Sequence, residues 1–226
     1  MKEFLPISQE DINARGWEQI DFLFISGDAY VDHPSFGPAV ICRVLEAQGY
    51  KVALLCQPDW RNLKNFEVLG KPRLAVLISG GNLDSMLCHY TAAKKPRKKD
   101  AYTPVVYSQQ IKRLWPEMPV IIGGIEASLR RFAHFDYWEN KILPSILVES
   151  NADLLIYGMG EKQIVEIADY LAGGATIEDI HYVRGTAYLA DDLQALDEFI
   201  ELPSLEDILK DREAFAKAYN LQSKEL

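Results

Sequence analysis

Short apolar runs alternate along the chain with segments whose apolar residues recur at helical spacing. The first run, at 21–25, ends in turn residues, and a helical pattern then begins at Pro38 and stops at Gly49. Four further apolar runs lie at 52–55, 74–78, 120–122 and 154–157, and further helical patterns lie around 108–114 and 161–171. Near-continuous apolar strands separated by helices are typical of a parallel sheet that is covered on both faces. The pattern therefore predicts a doubly wound α/β fold with a mainly parallel five-stranded sheet, Rossmann-like or flavodoxin-like.

The pattern changes after Gly174. Residues 182–189 predict one or two short strands, which we interpret as an antiparallel addition to the sheet. Ser204 begins a capping pattern, and the apolar stripe that follows predicts a final amphipathic helix. We accordingly divide the chain into an α/β domain at 1–175 and a C-terminal part at 176–226.

The net charge and the lack of long apolar stretches limit which kinds of binding partner we expect. The 226 residues are 48% hydrophobic and 25% charged, as in ordinary globular proteins, and 24 Lys+Arg against 33 Asp+Glu give a net charge of −9. This balance argues against broad electrostatic binding of nucleic acid or anionic membranes. A basic run at 94–99 is interpreted as a solvated loop, with a phosphate-binding patch as the alternative. Since neither a secretory signal nor an apolar stretch of about 18 residues is found, we expect a cytoplasmic protein without a membrane partner.

The candidate site follows from the predicted sheet, because ligands of open parallel sheets bind beyond the carboxyl ends of the strands. Four loops rich in small residues are expected there, and glycines in such loops let backbone N–H groups approach a flat or phosphorylated ligand. Tight turns without a ligand are the structural alternative. The candidate ligand-binding residues are Ser26, Gly27, Asp28, His33, Gly37, Ser79, Gly80, Gly81, Asn82, Gly123, Gly124, Glu126, Ser128, Gly158, Gly160 and Glu161. No complete G-x-G-x-x-G or G-x-x-x-x-G-K-[ST] motif occurs, which disfavours the usual NAD and ATP sites.

Two further features carry titratable groups. His33 lies in the first of these loops and is a candidate metal ligand or acid/base, with a structural or exposed histidine as the alternative. A polar and aromatic segment at 130–138 could contact an anion or substrate, stack on a base, or dock a neighbouring domain. The candidate contacts in that segment are Arg130, Arg131, His134, Asp136 and Tyr137.

Several strings resemble a known domain type. HPSFG at 33–37, VIIGG at 120–124 and ADLLIYGMGE at 152–161 are similar to the cobalamin-binding-like amino-terminal domain that precedes many radical S-adenosylmethionine (SAM) catalytic domains. GGN-x-DSM at 80–86, DAYTP at 100–104 and GGIEASLRR at 123–131 resemble the YgiQ-type radical SAM family. The resemblance covers essentially the whole chain. It implies a longer protein in which a C-terminal radical SAM barrel is the partner of this domain and acts on an unknown substrate.

The chain also departs from that family. Radical SAM chemistry depends on a C-x-x-x-C-x-x-C motif for a [4Fe–4S] cluster, whereas Cys42, Cys56 and Cys88 lack that spacing. The cluster and SAM are therefore expected only in a missing C-terminal domain, and this chain alone is not expected to be catalytic. The motif for an axial cobalamin ligand is D-x-H-x-x-G, but Asp32 and His33 are adjacent and Gly37 follows four residues after His33. Two interpretations of the crevice stay open: a cobalamin site, and a domain that has lost the cofactor.

The family usually has a longer Gly-rich insertion after the position of Pro104, so either this loop is short or the sequence represents it incompletely. Two other hypotheses remain beside the radical SAM interpretation. The first is a non-catalytic RNA-binding or nucleotide-binding module that uses 94–99 and the aromatic residues of 130–138. The second is a free-standing flavodoxin-like protein.

Overall fold

The computed structural model describes residues 4–89, 103–191 and 198–224, so the basic run at 94–99 lies outside the described residues. The strands are β1 (Phe22–Ser26), β2 (Val52–Cys56), β3 (Ala75–Ser79), β4 (Val120–Gly123), β5 (His134–Asp136), β6 (Lys141–Leu143), β7 (Leu154–Ile156) and β8 (Thr186–Ala187). The helices are α1 (Gln9–Ala14), α2 (Gly37–Ala47), α3 (Ser85–His89), α4 (Thr103–Leu114), α5 (Gly124–Leu129), α6 (Ile146–Ser150), α7 (Glu161–Ala172), α8 (Leu205–Lys210) and α9 (Arg212–Lys224). Two 3-10 helices lie at Leu63–Phe66 and Ile177–Ile180.

Six of the strands form one twisted sheet in the order β2-β1-β3-β4-β7-β8. The first five are parallel, and β8 pairs antiparallel with β7. The chain runs outward from β1 to β2 and then crosses to β3 on the other side of β1, so strand order reverses between β1 and β3. The predicted doubly wound α/β fold, with five parallel strands and an antiparallel addition, is confirmed.

Both faces of the parallel part of the sheet are buried, and its strands are apolar at nearly every position. On one face, Phe24 and Leu77 pack with the α2 and α7 side chains Leu45 and Ile167. On the other face, strand residues such as Leu23, Ile25, Val76 and Ile122 pack against α1, α4 and α6. Alternate residues of each strand point to opposite faces, so a strand between two helical layers has no solvent side.

The structure differs from the sequence-based expectations at three places. Helix α4 begins at Thr103, several residues before the apolar pattern that indicated it. The segment around His134 forms the antiparallel hairpin β5–β6, which the sequence pattern did not indicate. The final helix is divided into α8 and α9 at Asp211, whose backbone is extended and whose Oδ1 accepts a hydrogen bond from Glu213 N. Within the described ranges, no helix is both long enough and apolar enough to cross a membrane.

Candidate functional site

An apolar cavity of about 330 Å³ opens at the carboxyl edge of the sheet, between the strand ends and helices α2 and α7. This is the edge at which the switch point between β1 and β3 places a ligand crevice. Its inner wall is apolar. The lining residues that belong to strands or helices and are apolar are Phe24, Pro38, Val40, Ile41, Leu77, Ile78, Ile121, Ile122, Ile125, Ile156 and Ile164.

Part of the predicted site lines this cavity. Gly37, Ser79, Gly81, Asn82, Gly123, Gly124, Gly158, Gly160 and Glu161 are lining residues. The remaining predicted loop residues, which are Ser26, Gly27, Asp28, His33, Gly80, Glu126 and Ser128, do not line it. His33 is exposed, and its Nδ1 accepts a hydrogen bond of 3.1 Å from Ser35 N, although Pro34 beside it does line the cavity. Contact of any of these residues with a ligand remains a prediction.

Asn82 braces the mouth of the cavity. Its Oδ1 accepts from Gly37 N at 3.4 Å, its Nδ2 donates to the Ser35 carbonyl at 3.3 Å, and its backbone N donates to Asp28 Oδ2 at 2.7 Å. The preceding Gly81 has φ 107°, and a Cβ there would lie 2.4 Å from the Asp28 carboxyl carbon. Both the backbone conformation and the close carboxylate therefore require glycine at this position. Asn82 thus connects the loop after β1 to the loop after β3.

Serine hydroxyls connect the other loops. Ser79 Oγ accepts from Gly81 N at 3.1 Å. Ser128 Oγ donates to the Gly124 carbonyl at 2.8 Å and accepts from Gly158 N at 3.1 Å, which joins α5 to the loop after β7. Because these loops are already joined by hydrogen bonds, the rim of the cavity is formed before any ligand arrives.

Glu126 lies beneath these loops and is 1% exposed. Its Oε2 accepts from Ser85 N and its Oε1 from Ser85 Oγ, each at 2.9 Å, and Arg130 Nη1 lies 3.8 Å from Oε1. Burial is the largest influence on its pKa and raises it to about 7; Asp84 raises it further, and Ser85 and Arg130 oppose the increase. Ser85 Oγ also accepts from Thr103 N at 3.1 Å. Glu126 therefore holds the loop after β3 to the first residues of α4.

The two arginines of the polar segment are occupied by other contacts. Arg130 is 8% exposed and forms an ion pair with Asp84. The Arg131 guanidinium lies 5.0 Å from the ring centroids of both Phe132 and Tyr157, and it donates to the Ser128 carbonyl at 2.6 Å. These contacts give both side chains a structural role, and neither lines the cavity.

The hairpin residues of the same segment also lie outside the cavity lining. His134 Nδ1 is 3.1 Å from the Phe132 carbonyl, and burial lowers the pKa of the imidazole. Asp136 is buried, and its Oδ1 accepts from Glu139 N at 2.6 Å. Tyr137 is half exposed and packs edge-on against Trp138.

Sequence reasoning missed the side chains that give the cavity its walls. Ile41 and Ile164 each lie in the first turns of a helix whose apolar stripe indicated only core packing. A usable signal was present, because the helix that follows each parallel strand starts at the carboxyl edge of the sheet. Apolar residues of a first turn can therefore face a ligand.

The family model for the radical SAM N-terminal domain matches residues 4–226. The chain belongs to the radical SAM N-terminal family. This result confirms the resemblance noted from the sequence.

Relatives of this family domain are longer than the chain. A UPF0313 protein of Clostridium perfringens (strain SM101) is 50% identical over 233 residues, which cover 97% of this chain and 35% of the relative. A UPF0313 protein of Clostridium botulinum (strain ATCC 19397) is 49% identical over 232 residues, with 97% and 36% covered. The chain thus spans about a third of the length of the curated relatives it matches.

Two solved structures share the fold. TsrM, a radical SAM methyltransferase from Kitasatospora setae, superposes with a TM-score of 0.52 and 20% identity in its form with tryptophan and a SAM analogue, covering 75% of this chain and 28% of TsrM. Its form with cobalamin and a [4Fe–4S] cluster gives a TM-score of 0.50 at 20% identity, covering 75% and 27%. At this identity the similarity establishes the fold alone.

Proposed function

We propose that this chain is the ligand-holding N-terminal domain of a radical SAM iron–sulfur enzyme. The observation that carries the proposal is the apolar cavity of about 330 Å³ at the carboxyl edge of the sheet, with a rim of hydrogen-bonded loops. This volume is at the lower end of the range for small-molecule sites, about 300–1,000 Å³. The cavity therefore suits one apolar group of a cofactor or substrate, and the rest of that molecule would lie outside it.

The chemistry is assigned to the part of the protein beyond this chain. The matched relatives extend to roughly three times its length, and the sequence contains no C-x-x-x-C-x-x-C motif. We place the [4Fe–4S] cluster and SAM in that additional part, together with the reacting substrate, and we place the whole protein in the cytoplasm.

The exposed apolar residues near the cavity mouth support a docking face for the additional part. Ile125 is 48% exposed, Leu129 64% and Met159 80%, and they lie on α5 and on the loop after β7. Leu83 and Leu87, on the loop after β3 and on α3, are also exposed. Exposed apolar groups gathered at one edge are typical of an interaction surface. We propose that the catalytic part covers this edge and closes the cavity between the two domains.

Cobalamin is the finer version of this proposal. The apolar cavity fits the neutral aromatic base of a corrinoid, with Ile41 and Ile164 as walls and Gly123 and Gly158 at the rim. His33 does not fit the role of axial ligand, because it is exposed and lies outside the cavity lining. When bound, cobalamin supplies cobalt for group transfer, and the residues of this chain would hold its base and exclude water.

Binding of indole, a neutral apolar probe, tests the ligand-holding proposal. Val40 lines the cavity and is partly exposed, so Val40→Trp should fill the mouth and abolish binding. Val148 is 56% exposed on α6 and does not line the cavity, so Val148→Trp is the matched control and should bind as the wild type does. Equal indole affinity in all three proteins, measured by titration calorimetry, would contradict the proposal.

The cobalamin version has its own test. The absorption spectrum of hydroxocobalamin should change when it is mixed with the wild-type chain, and the cobalamin should stay with the protein through desalting. The Val40→Trp variant should lose the cobalamin in the same procedure. If the wild type also lost the cobalamin on desalting, the cobalamin version would be wrong. The indole result would then decide whether the chain holds a ligand at all.

The intact mass of the natural gene product tests the assignment to a longer enzyme. A mass near that of the full-length relatives is expected, and a product of 226 residues would contradict it.

A further inference from the structure

The described lining of the cavity is uncharged except at one residue. Glu161 carries the one charged side chain among the described lining residues. Glu161 is partly exposed, and among the described residues none forms a hydrogen bond or an ion pair with its carboxylate. The two uncharged polar side chains of the lining, Ser79 and Asn82, already bond to neighbouring backbone groups. Glu161 is therefore the polar side chain most available to a ligand.

Two helices of more than ten residues, α2 and α7, begin at this cavity. Helix N-termini usually attract anions through their free N–H groups and the helix dipole. In α2, Gly37 N already donates to Asn82 Oδ1, and Pro38 has no N–H to offer. In α7, Glu161 itself places a negative charge in the first turn. At α2 the first N–H group is thus already used and the second is absent, and at α7 a phosphate would meet the negative charge of Glu161.

We propose that Glu161 selects the ligand by charge, so that the cavity admits a neutral apolar group, prefers a cationic one that carries N–H donors, and rejects anionic groups. This inference rests on the ligand-holding function proposed above. An N–H group that reaches Glu161 gains a charge-assisted hydrogen bond. A phosphate or carboxylate would leave water for apolar walls and meet a like charge, with no cation in the described lining to offset the cost.

Three probes that share one ring system test this selection on the 226-residue chain. Tryptamine is cationic, indole is neutral and indole-3-acetate is anionic at neutral pH. We expect tryptamine to bind about tenfold more tightly than indole-3-acetate, as a partly exposed carboxylate would produce when it attracts one probe and repels the other. Titration calorimetry gives the ratio of the two dissociation constants.

Variants of α7 separate Glu161 from the net negative charge of the protein. Glu161→Gln should bring the ratio close to one, and Glu161→Lys should invert it. Glu166 is exposed on the same helix and does not line the cavity, so Glu166→Gln removes the same charge and should keep the tenfold preference. Circular dichroism of each variant verifies that the overall helix content is unchanged.

The outcomes distinguish the two proposals. If the probes bind but the ratio is the same in the wild type, Glu161→Gln and Glu161→Lys, the selection by Glu161 is wrong while the cavity remains a ligand site. If the wild type binds none of the three, the ligand-holding function is wrong and the inference about Glu161 falls with it.

Discussion

The buried carboxyl of Glu126 should make folding stability depend on pH near neutrality. Its pKa rises from an ordinary value of 4.5 to about 7 in the folded chain, chiefly because burial disfavours the charged form. The folded protein therefore keeps this proton at pH values where the unfolded chain has released it. The contribution of Glu126 to stability is fully present below its unfolded pKa and is lost as the pH rises through its folded pKa.

The size of the effect follows from the two pKa values. At about 1.4 kcal/mol per pKa unit, full ionisation of Glu126 costs about 3 kcal/mol of unfolding free energy. Most of that cost, about 2–3 kcal/mol, falls between pH 5 and pH 8 because the two pKa values bracket most of this range. Glu126→Gln removes the titration and keeps an oxygen acceptor for Ser85 N together with an amide that can bond Ser85 Oγ.

Urea unfolding at pH 5, 6, 7 and 8 measures this effect. The difference in unfolding free energy between Glu126→Gln and the wild type should shift in favour of the variant by about 2–3 kcal/mol from pH 5 to pH 8. Glu166→Gln, which removes an exposed carboxylate, should show no comparable trend. If the difference between Glu126→Gln and the wild type stayed constant over this range, the account of Glu126 as a buried, proton-holding group would be wrong.

Two further substitutions test the packing of the loops. A Cβ at Gly27 would lie 2.3 Å from the Gly80 carbonyl oxygen, so Gly27→Ala should destabilise the chain by about 1–3 kcal/mol in urea unfolding. Gly37→Ala is the control: a Cβ at Gly37 would have no atom within 4 Å, and its effect should stay within about 0.5 kcal/mol. Ser85→Ala removes a hydroxyl donor to Glu126 and should lower the unfolding free energy by about 1–3 kcal/mol. Because that hydrogen bond lowers the pKa of Glu126, the variant should also move the midpoint of the pH dependence of stability upward. An unchanged midpoint would refute the contact.

The sheet was predictable because its parallel strands are apolar at consecutive positions and are separated by helical patterns. A run such as Phe22–Ser26 has no solvent face, and this pattern together with the intervening helices indicates parallel strands between two helical layers. Helix α5 and the β5–β6 hairpin carry no comparable signal, since their residues are not apolar throughout as those of the equally short β7 are. Helix α5 has only six residues and no side-chain cap, and β5 and β6 have three residues each, so tertiary contacts decide their conformation.

The sequence allowed us to predict where on the sheet the candidate site lies, but not which loop residues line it. The rule that ligands bind at the carboxyl edge located the loops, and Gly81, Asn82 and Glu161 among others do line the cavity there. The division between lining and supporting residues was not accessible, because it depends on which way a side chain turns within a loop. Glu126 illustrates this, since its carboxylate turns inward to Ser85 and not toward the cavity.

The most direct test of the central claim is a map of where indole binds. In a methyl-resolved NMR titration of the 226-residue chain, the account predicts that the methyl signals of Ile41, Ile121 and Ile164, which line the cavity, shift with indole concentration. Ile111 and Ile146 are buried on the opposite face of the sheet and should not shift. Absence of shifts at the three cavity isoleucines, or shifts confined to other sites, would contradict the claim that this cavity holds a ligand.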